Sequence, residues 1–408
     1  MPDRIGIGTV SLGWMGQLHS RAYRRLRDHY PECPLEPRLV IAADAVEERA
    51  RDAAARLGYE GWTTDWREVV EHPEVEAVSI AAPNHLHREV AVAAAGAGKH
   101  VWLEKPCGRY PAEAYEIGRA VEEAGVTTMI GLMYRHAPVV EYAKELIASG
   151  ELGEITHYRG YFLADYAADP NGALTWRYKR AGAGLGVLGD LMPHTVDMAQ
   201  NLLGCITGVS AQRATFIPQR PKAPEGAGTA HFTAAGGEMG AVENEDYASC
   251  LVVFENGARG TLENSRVCTG PHVKNSFEVN GTRGALSWNF QRMNELELYR
   301  SDETGDRGYR TVYAAPGMGD FGRFQPGVGI PMGYDDLKVV EAGRFLSSIA
   351  DGRQRPASIR EAVAALRVVG AMDRSCATGR WEKVEEPKPP PPPDPRAATG
   401  ERRMGGDG

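Results

Sequence analysis

The first 134 residues alternate short apolar runs with helix-patterned stretches, and this rhythm narrows the possible folds more than any other feature of the chain. The runs are IGIGTV (5–10), RLVIAAD (38–44), VEAVSIAAP (75–83), HVWLE (100–104) and VTTMIGLM (126–133). Between them, Leu18, Ala22 and Leu26 share one helical face, and AVEERARDAAARLG ends at Gly58, a residue suited to closing a helix. Asp65 with Glu68 has the spacing of a capping box. HREVAVAAAGAG and PAEAYEIGRAVEEAG complete the helical set. Strands that alternate with helices predict a doubly wound parallel sheet, which binds ligands at the carboxyl ends of its strands.

The turn after the first run is SLGWMG (11–16). A dinucleotide-binding turn places glycine at three positions. Gly13 fills the second, where the backbone approaches a pyrophosphate, and Gly16 the third, where helix meets sheet. Ser11 stands at the first, where a tight turn favours glycine. No Gly-Lys-Ser/Thr follows, so this is not a Walker loop. Asp44 ends the second run and can accept from a ribose 2′-hydroxyl while repelling a 2′-phosphate, which predicts NAD rather than NADP. Asp44 as a simple helix-start acid is the competing reading. The 28 residues from Gly16 to Asp44 exceed the usual ~20, and PECPLEP (31–37) reads as the loop that adds them.

HVWLE is followed by Lys105 and Pro106. A lysine at the end of a buried strand either reaches water along its stem or serves chemistry in the crevice. Net charge is −8, which disfavours a nucleic-acid partner. The six cysteines are scattered without metal spacing, so no metal site is expected and reduced thiols in a cytoplasmic protein are. No signal peptide and no run of 18 apolar residues is apparent, so no membrane association is expected.

Beyond residue 135 strand follows strand, with Asn-Gly at 256–257 and 280–281 marking hairpins, which predicts an open, mostly antiparallel sheet with helices on one face. Two late helices, about 334–351 and 358–379, are expected to close this domain. The domains are therefore expected at 1–134 (dinucleotide-binding), 135–384 (substrate-binding and oligomerisation) and 385–408 (a disordered proline-rich tail). Within GAGLGVLGDLMPHTVDM (182–198), Pro193 fixes a helix start near 191. Asp190 and His194, four apart, can then face one cleft, with Asp197 placed to orient the His194 ring. The competing reading makes Asp190 a cap and His194 a packed core residue.

With LEKPCG and GDLMPHTVD both present, the chain resembles the Gfo/Idh/MocA oxidoreductases, relatives of glucose–fructose oxidoreductase and inositol dehydrogenase. The matching positions are Gly13 and Gly16; Pro83 and Asn84 with His87; Glu104, Lys105 and Pro106; Trp176 and Arg177; Asp190 and His194. Ser11 and the Met192-Pro193 pair depart from the family pattern. The resemblance implies a cofactor site of Ser11, Gly13, Trp14, Met15, Gly16, Asp44, Pro83, Asn84, His87, Glu104 and Lys105, occupied by NAD. It implies catalysis by Lys105, Asp190 and His194: His194 as base, Lys105 as polariser, Asp190 as anchor. Tyr134, Arg135, Trp176 and Arg177, near the domain junction, are expected to join these three in contacting a sugar or cyclitol, whose secondary hydroxyl becomes a ketone. A redox-neutral glycosidase and a non-catalytic NAD-binding sensor are the alternatives. For the glycosidase, Tyr161, Asp165 or Tyr166 would have to supply a second base. A homodimer or homotetramer through the C-terminal sheet is expected.

Overall fold

The computed structural model describes residues 3–223, 236–301 and 307–385; residues 386–408, where the proline-rich tail was expected, lie outside the described residues. The first domain runs β1 (Asp3–Val10), α1 (Trp14–His29), β2 (Leu35–Ala43), α2 (Glu47–Leu57), β3 (Gly61–Thr63), α3 (Trp66–Glu71), β4 (Ala77–Ile80), α4 (Asn84–Gly96), β5 (His100–Leu103), α5 (Pro111–Ala124) and β6 (Thr128–Ile130). Its sheet has the order β3-β2-β1-β4-β5-β6, and every neighbouring pair is parallel. The chain changes direction across the sheet between β1 and β4, and the crevice for a ligand opens there. β2 starts at Leu35, inside the stretch expected to be loop. Pro37 is tolerated because β3 pairs only with Ile41–Ala43, so nothing needs an N–H on that side of Pro37.

The second domain continues through α6 (Pro138–Ala148), β7 (Ile155–Ala164), α7 (Arg180–Ala183), α8 (Val187–Asp190), α9 (Met192–Leu203), β8 (Ile206–Ala214), β9 (Gln219–Pro221) and β10 (Met239–Ala241). Then come β11 (Tyr247–Phe254), β12 (Arg259–Ser265), β13 (Val273–Gly281), β14 (Gly284–Asn289), β15 (Glu295–Arg300), β16 (Arg310–Tyr313), α10 (Phe321–Phe324), α11 (Tyr334–Asp351), α12 (Ile359–Thr378) and β17 (Glu382–Lys383). Nine strands form one sheet, β16-β15-β14-β13-β7-β12-β11-β8-β17, antiparallel except between β7 and β12. β11 shows why one face is covered. Ala248, Cys250, Val252 and Phe254 are buried, while the alternating Leu251 is 51% exposed. α9 and α12 pack on the inner face, and among the described residues no helix covers Leu251 on the outer one.

Asn256-Gly257 turns the β11–β12 hairpin, with Gly257 at φ 89°. Asn280-Gly281 behaves differently: it ends β13, and the turn falls at Thr282-Arg283. Gly281 is required there because a Cβ would stand 2.1 Å from the Leu152 carbonyl oxygen. The larger difference concerns α11. It packs on the first domain, where Val339, Ala342, Phe345 and Leu346 share a core with Ile5, Ile7, Leu12, Tyr23 and Leu26. Arg21–Asp335 (3.1 Å) and Arg25–Asp336 (2.7 Å) flank that seam. The apolar stripe of α11 is visible in the sequence; its partner is not.

Candidate active site

The glycine turn is shaped for close approach. Ser11 adopts φ 75°, the left-handed region, while its N–H donates to Ala43 O at 2.7 Å. A Cβ on Gly16 would lie 1.8 Å from the Ser11 carbonyl oxygen, so α1 can sit this near β1 only with glycine. A Cβ on Gly13 would meet nothing nearer than Ser11 Oγ at 3.8 Å, leaving open space above its backbone. Asp44 closes the other side. Its Oδ2 accepts from Leu12 N–H (2.9 Å) and its Oδ1 from Val46 N–H (3.0 Å), so one carboxylate braces the turn and the start of α2. Arg49 reaches it too, at 3.3 Å. Trp14 is 62% exposed and stacks on Tyr334 of α11, with ring centroids 5.3 Å apart. Met15 is partly exposed beside it. These residues fit a dinucleotide: bare backbone N–H groups at a helix start and an acid at the end of β2.

The ends of β4 and β5 form the next part. His87, in α4, faces Ala82 O and Pro106 O, each 2.7 Å from a ring nitrogen. Burial lowers its pKa, although both carbonyls favour the protonated ring. Pro83 caps the start of α4, and Asn84, its first residue, donates from Nδ2 to Ala183 O (3.3 Å), tying this end of the sheet to α7.

Lys105 projects toward the second domain, where α8 and α9 meet. Its Nζ donates to Asp190 Oδ1 (2.7 Å) and to the Asp190 carbonyl (2.9 Å). Asp190 ends α8, and α9 starts after the single residue Leu191, with Pro193 in its first turn as the sequence requires. His194 is 7% exposed, with the Tyr134 ring edge-on at 4.8 Å. Its pKa is well below the usual histidine range, from burial first and the Lys105 charge second. Burial, more than any neighbouring charge, thus favours the neutral ring. Trp176, Arg177, Asn84, Asp190 and Tyr166 line a narrow cleft beside Lys105. The Arg177 guanidinium lies over the Trp176 ring at 4.5 Å.

Several expected roles change. Asp197 does not orient His194. Both its oxygens take the Arg135 guanidinium, with Arg135 Nε to Asp197 Oδ2 at 2.9 Å. His194 Nδ1 is buried without a partner among the described residues. Arg135, 6% exposed and locked in that pair, is structural rather than a substrate contact. Tyr134, equally buried, is a wall against His194. Glu104 is buried and committed to partners within the protein. Its carboxylate meets His19 Nε2 (3.0 Å) and Lys338 Nζ, and Lys338 also donates to Glu341 Oε2 (2.7 Å). Burial opposes the Glu104 charge, but Lys338 and the His19 hydrogen bond prevail and hold its pKa below the usual range. Burial raises Glu341 to about 7. Both residues lie just past β5, which ends at Leu103; there the side chains part, Glu104 to His19 and Lys338 and Lys105 to Asp190.

Of the residues considered as a second base, Asp165 pairs with His272 (2.7 Å) and Tyr161 packs under Lys274. Tyr166 alone reaches the cleft, where its hydroxyl donates to Asp190 Oδ2 at 2.7 Å. Nothing in its spacing along the chain signals this. Tyr334 and Lys338, more than 200 residues from Lys105, were likewise not legible.

A Rossmann sheet with a bare glycine turn, and a lysine, aspartate and histidine gathered at its strand ends, define a nicotinamide-dependent oxidoreductase. The chain belongs to the Gfo/Idh/MocA family: residues 5–132 match its NAD-binding Rossmann domain and residues 140–287 its C-terminal domain. It is 37% identical to levoglucosan dehydrogenase of Pseudarthrobacter phenanthrenivorans, over 94% of this chain and 99% of that one. It is 31% identical to the NAD(+)-dependent scyllo-inositol 2-dehydrogenase of Bacillus subtilis, over 70% of this chain and 74% of that one. The solved structure of levoglucosan dehydrogenase with NADH and levoglucosan superposes with a TM-score of 0.88 at 35% identity, covering 94% of this chain and all of that one.

Proposed function

We propose that the protein oxidises a secondary hydroxyl of a neutral sugar or cyclitol to a ketone, with levoglucosan and related anhydrosugars as the leading substrates. The observation that carries this reading is the Lys105–Asp190 ion pair beside a buried, neutral His194 at the carboxyl end of β5. NAD, held by the Ser11–Gly16 turn and Asp44, supplies the hydride acceptor. His194 takes the hydroxyl proton. Its Nδ1 is enclosed, which leaves Nε2 to meet the substrate. Lys105 donates to the oxygen as negative charge develops there, an interaction that strengthens toward the transition state. Lysine has three N–H donors. Two are committed to Asp190, and the third remains for the alcohol oxygen. Tyr134 and Phe162 flank the His194 ring and exclude water from it. Trp176 and Arg177 offer a ring face and a guanidinium to the sugar.

Elimination of a glycoside would need a second base. Tyr166, the group in place, has its pKa pushed far above 10 by burial and then by Asp190. Simple oxidation is therefore favoured. A homodimer or homotetramer through the outer face of the large sheet accords with its exposed Leu251. A cytoplasmic location accords with six cysteines, none of them in a disulfide. No helix among the described residues is long and apolar enough to cross a membrane.

The test is to incubate purified protein with NAD and a panel of levoglucosan, inositols and aldoses, and to follow absorbance at 340 nm. NADH formed in a ratio near one to sugar consumed is expected. Glycoside turnover without NADH would overturn the reading.

A further inference from the structure

One wall of the substrate cleft has little regular structure to hold it. Between β7 and α7, residues 165–179 have as their longest regular element a three-residue 3₁₀ turn, Trp176–Tyr178. Such a turn closes too few hydrogen bonds to fix itself in place. Yet it brings Trp176, Arg177 and Tyr178 to the cleft. Its support comes from β9. Arg220 is fully buried there, and among the described residues no carboxylate pairs with it. Its Nη1 donates to Asp169 O (2.7 Å) and its Nη2 to Ala167 O, both in the chain that follows β7. The same guanidinium lies over the Tyr178 ring, 4.4 Å from its centre. The Arg266 guanidinium lies over that ring too, at 4.6 Å, and is itself tied to Asp246 (2.8 Å) and to the Asn244 side chain (3.0 Å). The chain around β9 and β10 fits closely against this wall. Leu174 N–H donates to Pro221 O (2.8 Å) and Glu243 N–H to Tyr178 O (2.9 Å). A Cβ on Gly240 would stand 2.5 Å from Leu174 Cδ2.

We propose that Arg220 is a positioning residue that sets the sugar affinity of the cleft: its planar fork holds the chain after β7 by two carbonyls and the Trp176–Tyr178 turn by a ring. This rests on the dehydrogenase reading above. The residue type follows from what is held. Two carbonyls ask for two donors at a fixed angle, and an aromatic ring asks for a flat cation. A guanidinium supplies both in one rigid group, whereas an ammonium is a point charge on a flexible stem. In the low dielectric of a buried site, these contacts are stronger than they would be in water. The contacts of Arg220 are to the wall alone and not to Lys105, His194 or the glycine turn, so proton transfer and cofactor binding do not depend on it.

Arg220→Lys keeps the charge and loses the fork. KM for the sugar should rise roughly 10-fold, which corresponds to about 1.4 kcal/mol. kcat and the Kd for NADH should stay within about twofold, the scale of an unaltered contact. A merely structural role gives the opposite split, since a smaller folded fraction lowers kcat at constant KM. A second measurement needs no substrate. Hydrogen–deuterium exchange followed by mass spectrometry should show amides of residues 165–180 exchanging roughly 10-fold faster in the variant, with α9 protected as in the wild type. Should Arg220→Lys fail to fold, Tyr178→Leu carries the same expectation, because it removes the ring and leaves both carbonyl bonds. An unchanged KM, a fall in kcat at constant KM, unchanged exchange over 165–180, or exchange that rises equally in α9 overturns the proposal. If the wild type turns over no sugar, the dehydrogenase reading fails, while the exchange data still decide whether Arg220 holds the wall.

Discussion

Ser11→Gly tests how the cofactor turn was built. Ser11 holds φ 75°, where a side chain crowds the backbone. A residue with a Cβ costs about 1–2 kcal/mol in the left-handed region. Glycine removes that cost but frees the unfolded chain, which gives back about 0.4–1 kcal/mol. The Ser11 N–H to Ala43 O bond and the Ser11–Gly16 approach involve backbone alone and survive the change. The hydroxyl makes no hydrogen bond among the described residues that would be lost. The sum favours glycine by about 0–1.6 kcal/mol, a rise in Tm of at most about 6 °C at roughly 2–4 °C per kcal/mol. Differential scanning fluorimetry of the cofactor-free protein measures this directly. A fall of more than about 2 °C would refute the strain argument, since by the same conversion it needs a stabilising serine contact. Titration with NADH completes the test, with affinity expected to hold or tighten slightly. A tenfold loss, about 1.4 kcal/mol, would show instead that the serine hydroxyl binds a phosphate oxygen.

Gly16→Ala should weaken NADH binding and lower Tm, because its Cβ would stand 1.8 Å from Ser11 O and overpacking costs about 1–3 kcal/mol; wild-type affinity in that variant would mean α1 can shift freely. His194→Asn should retain NADH affinity and lower kcat by roughly 10²–10⁴, the worth of a positioned base, and Lys105→Met should act similarly; an undiminished rate in His194→Asn would move the base elsewhere. NAD should bind more tightly than NADP, and Asp44→Ala should narrow the gap, with Arg49 left to meet the 2′-phosphate; fluorescence titrations showing tighter NADP binding to the wild type would sink this assignment of Asp44. Stability should decline as pH falls below about 6.5, because the buried His19, its pKa lowered to about 4 by burial, stays neutral in the folded state while the unfolded chain takes up a proton. The stability is thus present above the unfolded value and lost between about 6.5 and 4, at up to about 1.4 kcal/mol per pH unit. His194 and His136, also lowered by burial, act in the same direction. A Tm that is flat between pH 7 and 5 would contradict this.

The local sequence determined the elements and the first half of the chemistry. Strand–helix alternation fixes a parallel sheet because a strand buried on both faces needs helices on both. The SLGWMG turn, Asp44, and Lys105 after its strand follow from it, because each is set by neighbours within a few residues. Asp190 and His194 could be read as one constellation because Pro193 marks the helix start between them. What the tertiary structure decided lies farther apart in the chain. Asp197 is three residues from His194, but its charge is buried, so it goes to the cation that can reach it, Arg135. Glu104 neighbours Lys105, but its buried charge goes to the partners the fold brings to it, His19 and Lys338, the latter from a helix more than 200 residues away. Tyr166 became part of the site only because β7 and α8 end at the same place. The sequence pattern shows that α11 has an apolar face; only packing shows that this face belongs to α1. A local pattern states what a residue needs, and a buried charge or apolar face is satisfied by whichever partner the fold brings to it.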